Sequence, residues 1–144
     1  MRSPEHHEQV AVVNWARFMA DTGRLPELAL LYAVPNGGHR EKATAGRLKA
    51  EGTRRGVPDL CLPVPRLTVE GGYLAGLYVE MKAPGGSTSP EQRAWIAALG
   101  SLGYRAVVCR GADAAKAEIE SYLALPRVAP LTVGDTVLLA ALPR

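Results

Sequence analysis

The chain has 144 residues, 47% of them hydrophobic, and a formal net charge of +3, which suits one domain with a core of its own. No stretch approaches the roughly 20 apolar residues of a membrane-spanning helix, and the opening residues, with Glu5, His6, His7 and Glu8, do not read as a secretory leader. The two cysteines, Cys61 and Cys109, sit inside apolar runs and predict buried reduced thiols, not a disulfide framework; a cytoplasmic protein is expected.

Ser3-Pro4-Glu5 predicts a helix start, with Ser as cap and Pro at the first helical position. Val12, Trp15 and Met19 form its apolar stripe, and one turn before Val12 stands Glu8. A carboxylate facing inward is costly unless paired or metal-bound, so Glu8 is a better third acidic candidate than Glu5. Partial exposure near the helix N-terminus is the competing explanation. No Cys or His at ligand spacing supports zinc, which leaves His6 and His7 as surface or substrate-facing residues. Residues 28–34 read as a short strand ending in the turn Pro35-Asn36-Gly37-Gly38. A helix over 42–50 follows, stopped by Gly52.

Charge is concentrated here. Between His39 and Arg55 the chain carries Arg40, Lys42, Arg47, Lys49, Arg54 and Arg55 against Glu41 and Glu51. Such a segment fits a polyanionic substrate, although a solvated helix face laced with i,i+4 pairs would look the same.

The segment leads into Gly56-Val57-Pro58-Asp59, and Glu80-Met81-Lys82 comes later, at the end of an apolar, β-prone run. Strands are expected over 59–64 and 75–82, joined by a turn containing Gly71-Gly72. Alternation directs Leu77, Val79 and Met81 to one face and Tyr78, Glu80 and Lys82 to the other. If Asp59 borders a neighbouring strand, its carboxylate meets that of Glu80, giving hard oxygen ligands suited to Mg²⁺ beside an ammonium group. That combination suits phosphodiester hydrolysis; turn chemistry at Asp59 and a weak surface pair at Glu80 and Lys82 are the plainer reading.

Ser89-Pro90-Glu91-Gln92 is a capping box opening a helix with the stripe Trp95, Ile96, Leu99 and Leu102. Gln92 is thereby explained structurally, yet it also lies where it could reach the water or phosphate of such a site. A strand over 104–109 and a helix over 113–123 complete an α/β (α+β) mixed sheet flanked by helices. Beyond residue 124 Pro126 and Pro130 break the pattern, and 131–133 with 137–139 around Gly134-Asp135 suggest a small hairpin, an edge closure or a subunit contact.

Taken together, Glu8, Pro35-Asn36-Gly37-Gly38, the basic helix running into Gly56-Val57-Pro58-Asp59, Glu80-Met81-Lys82 and Gln92 resemble the VRR-NUC family of PD-(D/E)xK nucleases over residues 4 to 124. The resemblance implies a restriction-endonuclease-like core, with helices on both faces of a central mixed sheet, in a nuclease domain of residues 1–124 followed by an extension over 125–144. It implies Mg²⁺ or Mn²⁺ held by Asp59, Glu80 and the backbone carbonyl of Met81, with Glu8 assisting. Lys82 would activate or position water and Gln92 would support it. The basic residues His39, Arg40, Lys42, Arg47, Lys49, Arg54 and Arg55 are the expected DNA contacts. The chain is similar in size to stand-alone, phage or prophage-borne members. These resemble Holliday junction resolvases, which implies a homodimer cutting branched, four-way DNA. A nuclease on linear duplex or single-stranded DNA and an inactive DNA-binding module are the alternatives.

Overall fold

The computed structural model describes residues 3–35 and 42–144. Helix α1 runs Pro4–Asp21, with the Ser3 hydroxyl accepting the His6 N–H at 3.3 Å. The segment read as a strand over 28–34 is instead a 3-10 helix, Pro26–Leu30, followed by a two-residue strand β1, Tyr32–Ala33. Pro26 opens this turn, and Glu27 is drawn inward by two guanidiniums, Arg66 and Arg127. Helix α2, Lys42–Ala50, has no buried residue. Asn36, Gly37, Gly38, His39, Arg40 and Glu41, singled out above, lie outside the described residues.

Strand β2, Leu60–Leu62, is fully buried. A two-stranded ribbon, β3 Arg66–Leu67 with β4 Tyr73–Leu74, occupies the connection expected to be a plain turn. Strand β5, Leu77–Lys82, then lies antiparallel to β2. Its other neighbour, β6 Arg105–Arg110, is parallel to it. A parallel pair needs a crossover, and helix α3, Pro90–Ser101, supplies it. The sheet order is β1-β2-β5-β6, so β5 is central.

Leu77, Val79 and Met81 on one face of β5 join Leu60, Leu62, Val12, Ala16, Ala115, Ile119 and Tyr122 in a single core. That face is covered by α1 and by α4, Ala112–Leu123, which pack on each other and on β5. The opposite face presents Tyr78, Glu80 and Lys82, with α3 alongside through Gln92. Fully burying several such aliphatic side chains, at roughly 1.5–3 kcal/mol each, fixes the register of β5 and with it the direction of Glu80 and Lys82. Cys61 and Cys109 are buried and unpaired, as expected. In α3 the stripe is only half-buried, and Leu102 sits at the C-cap, exposed.

The C-terminal hairpin does not form. Residues Val133–Ala140 are a helix, α5. Gly134-Asp135, read as a turn, is the first turn of this helix: the Thr132 hydroxyl accepts the Asp135 N–H at 3.1 Å, and Asp135 Oδ2 accepts the Thr132 N–H at 2.8 Å. This reciprocal cap outweighs the turn signal. Helix α5 packs on the 3-10 helix, and Arg127, in the segment before it, donates to Glu27 at 2.9 Å.

Candidate active site

The last pair of the β2 and β5 ladder is Leu60 with Val79. One step further places Asp59 opposite Glu80, and residues opposite one another across antiparallel strands share a face. Two hydrogen bonds fix Asp59: its Oδ2 accepts the Met81 N–H at 2.8 Å, and its carbonyl accepts the Val34 N–H at 2.8 Å. The close approach of Gly56 to α3 sets the preceding turn. At φ +88° a Cβ there would lie 2.7 Å from the Glu91 carbonyl carbon, so no side chain fits.

Glu80 is 2% exposed. Its Oε1 accepts from Gln92 Nε2 at 2.7 Å and lies 3.3 Å from Lys82 Nζ. Its Oε2 is buried and has no hydrogen-bond partner among the described residues. Burial first, then the adjoining charge of Asp59, pushes the Glu80 carboxyl up to about 7, against the opposing pull of Lys82. Burial also raises Asp59, with the Met81 N–H only partly opposing it. Two desolvated carboxyls thus face each other with one ammonium beside them, an arrangement that a divalent cation would relieve.

The donor set fits such an ion. Among the described residues no group of three or more His, Cys, Asp and Glu converges, so the protein offers a carboxylate pair. Mg²⁺ is commonly held by one or two carboxylates, with water and substrate phosphate completing the shell. Met81 adds a candidate carbonyl, because on a strand N–H and C=O of one residue lie along the same edge, here the edge where Asp59 stands.

Lys82 is 7% exposed; besides Glu80, it lies 3.8 Å from Glu5 Oε1. Of Glu5 and Glu8, the acidic residues in the N-terminal part of α1, it is Glu5 that reaches the ammonium. The Glu8 carboxylate accepts the Ala112 N–H and so caps α4, whose own N-cap, Gly111 at φ +91°, has no side chain to do so. The stripe argument led to Glu8 because it tests which residues face the core. The first turn of α1 reaches the end of the sheet, where facing the core and facing Lys82 are different directions. The signal for Glu5 was its place in that first turn.

Gln92 makes the capping bond and also reaches Glu80. Its Oε1 accepts the Ser89 N–H at 2.8 Å as the cap requires, while its Nε2 donates to Glu80. Of the expected DNA contacts, His39 and Arg40 lie outside the described residues. Lys42, Arg47 and Lys49 are exposed on α2, and Arg47 pairs with Glu51 at 3.6 Å. Arg54 and Arg55, also exposed, are five and four residues before Asp59. Arg54 stacks over the Trp95 ring, 5.3 Å from its centroid, and the Trp95 indole N–H donates to the Arg55 carbonyl at 3.0 Å. His6 and His7 are exposed and in edge-to-face contact.

A mixed sheet that pairs a strand-end aspartate with a Glu-x-Lys strand, capped by a glutamine from the crossover helix, defines a nuclease of the PD-(D/E)xK type. The model of the VRR-NUC domain matches residues 1–113, and the chain belongs to that family. A solved structure described as a VRR_NUC domain protein is similar at 29% identity with a TM-score of 0.70, covering 88% of this chain and 93% of that one. No curated protein matches the chain. Nucleases of this superfamily generally use divalent metals and act on DNA. No helix among the described residues is long and apolar enough to cross a membrane.

Proposed function

We propose that the protein is a Mg²⁺- or Mn²⁺-dependent endodeoxyribonuclease that cuts branched DNA, four-way junctions above all, as a homodimer inside the cell. The observation that supports the metal assignment is Glu80 Oε2, a buried carboxylate oxygen without a donor among the described residues, next to a second desolvated carboxyl on Asp59. Asp59, Glu80 and the Met81 carbonyl would hold the ion, which supplies Lewis acidity at the phosphoryl group and a more acidic water.

The chain's own residues do the remainder. Gln92 and Lys82 fix Glu80 Oε1, so that the other oxygen is presented to the site. Lys82, between Glu80 and Glu5, is placed to orient the attacking water and to meet charge developing on the phosphoryl oxygens. We assign the third acidic role to Glu5, and to Glu8 the support of α4 beside the site. Lys42, Lys49, Arg54 and Arg55 are set to draw in the phosphate backbone.

Branch preference rests on the likeness to junction resolvases. The homodimer is supported by α5, whose Val133, Val137 and Leu138 are 82%, 63% and 70% exposed. The test is a cleavage panel of four-way junction, flap, nicked, single-stranded and linear duplex DNA with Mg²⁺, Mn²⁺ or EDTA. Preferential, metal-dependent junction cutting is expected. Equal cutting of linear duplex would remove the branch preference, and binding without cutting in either metal would leave a DNA-binding module.

A further inference from the structure

We infer that Trp95 is a positioning residue for DNA engagement, one that holds Arg54 in a preset orientation and ties it to the metal-site scaffold; this rests on the nuclease function proposed above. Two contacts converge on it and a third lies one helical turn away. The ring carries the Arg54 guanidinium on its face, the indole N–H holds the backbone of the next residue, Arg55, and Gly56 lies flush against Glu91, one helical turn from Trp95. The loop that delivers Asp59 is thus anchored to the first turns of α3. Those same turns carry Gln92, which donates to Glu80. One rigid element therefore relates the arginine loop to both carboxylates.

The chemistry of the stack argues for a substrate role. Arg54 has no carboxylate partner among the described residues, whereas Arg47, Arg66, Arg105, Arg127 and Arg144 each have one. A guanidinium lying on an aromatic face keeps its edge N–H groups outward, where they can meet a phosphate in forked geometry. Stacking also restricts a side chain that would otherwise lose much rotamer freedom on binding. Trp95 itself is only half-buried, on a helix with no buried residue, so core packing alone does not account for it. Five residues of chain span at most about 18 Å, which keeps Arg54 near the scissile phosphate.

A double-variant cycle on the full chain tests this, with affinity and salt dependence for a four-way junction measured in EDTA and turnover measured at saturating junction with Mn²⁺. Arg54→Ala is expected to weaken binding about tenfold and to reduce the salt slope by about one. Trp95→Ala should weaken binding by a similar factor, and its turnover at saturating DNA should fall by less than its affinity. The combined variant should bind no worse than Arg54→Ala alone, since both changes remove the same preset contact. Trp95→Phe, which keeps a ring and loses the N–H, should retain most of the salt slope, and Trp95→Leu, which keeps apolar bulk without a ring, takes the place of Trp95→Ala in the cycle if that variant does not fold. Multiplicative losses, or wild-type binding by Trp95→Ala, would overturn the positioning role while leaving the nuclease reading intact. A wild-type protein that neither binds nor cuts DNA would overturn both.

Discussion

Asp59 and Glu80 are held together at a cost. Burial raises both carboxyls and the charge of Asp59 raises Glu80 further, while Lys82 opposes both shifts and the Met81 N–H and a hydrogen bond to Glu80 oppose the one at Asp59. In the metal-free protein, Asp59→Asn should therefore raise stability by roughly 1 kcal/mol near neutral pH while ending cleavage, the usual opposition between stability and a charged site. Thermal melting in EDTA checks it, and an unchanged or lower melting temperature would argue that the two carboxyls do not strain each other. The acidic residues of α1 separate in the same way. Glu8→Ala removes the cap of α4 and should cost about 1 kcal/mol of stability with metal affinity preserved. Glu5→Gln should leave melting nearly unchanged and slow cleavage, because it alters the charge beside Lys82. Calorimetric metal titration of both variants distinguishes them, and the opposite pattern would return the third acidic role to Glu8.

Among the elements, the C-terminal segment is stitched to the core by charge. Glu27 is buried with Arg66, whose Nε also donates to the Leu123 carbonyl at 3.3 Å, and Arg127 reaches it from the surface. Burial would raise the Glu27 carboxyl, but the bonds and charges of Arg127 and Arg66 prevail and hold it below its usual 4.5. A carboxyl with a depressed folded-state pKa stabilises the fold above its unfolded pKa, and that contribution is lost as pH falls through the folded value. Glu27→Gln should thus cost about 3 kcal/mol at pH 7 by stranding Arg66, and the gap to wild type should narrow as pH falls below the usual 4.5 and on through the lowered folded value. Denaturant melts across pH provide the measurement; a gap independent of pH would show that the network stabilises by packing alone.

The network also shows what sequence reading could reach. Local signals sufficed for α1 and α3, because Ser3-Pro4 and the Ser89 capping box mark their starts, for α4, because its pattern is amphipathic, and for β5, because alternation along 77–82 is strong. They failed over 26–30, where a buried ion pair to residues 39 and 100 positions away decides that a 3-10 turn forms. They failed again over 133–140, where Gly134-Asp135 fits a turn and a first helical turn equally well. Asp59, Glu80 and Lys82 were legible as chemistry on paired strands. The Trp95 contacts were not, since a tryptophan in an apolar helical stripe gives no hint of which loop lies across it.

At the scale of the whole molecule, the family match ends at residue 113, while α5 carries an exposed apolar face built on the Glu27 network. If that face joins two copies, Leu138→Lys should give a monomer by light scattering at micromolar concentration, with wild type dimeric. Cutting of paired strands in one junction should then become uncoupled while single-strand nicking persists. A monomeric wild type, with and without junction DNA, would reject the dimer.

Whether Asp59 and Glu80 hold the catalytic ion is tested most directly by single-turnover cleavage of a labelled four-way junction at saturating Mg²⁺, comparing wild type with Asp59→Ala and Glu80→Ala. The variants should lose several orders of magnitude in rate, as removal of the charge-stabilising centre requires, and still bind the junction at least as well as wild type. Cleavage by Asp59→Ala at near the wild-type rate would contradict the assignment.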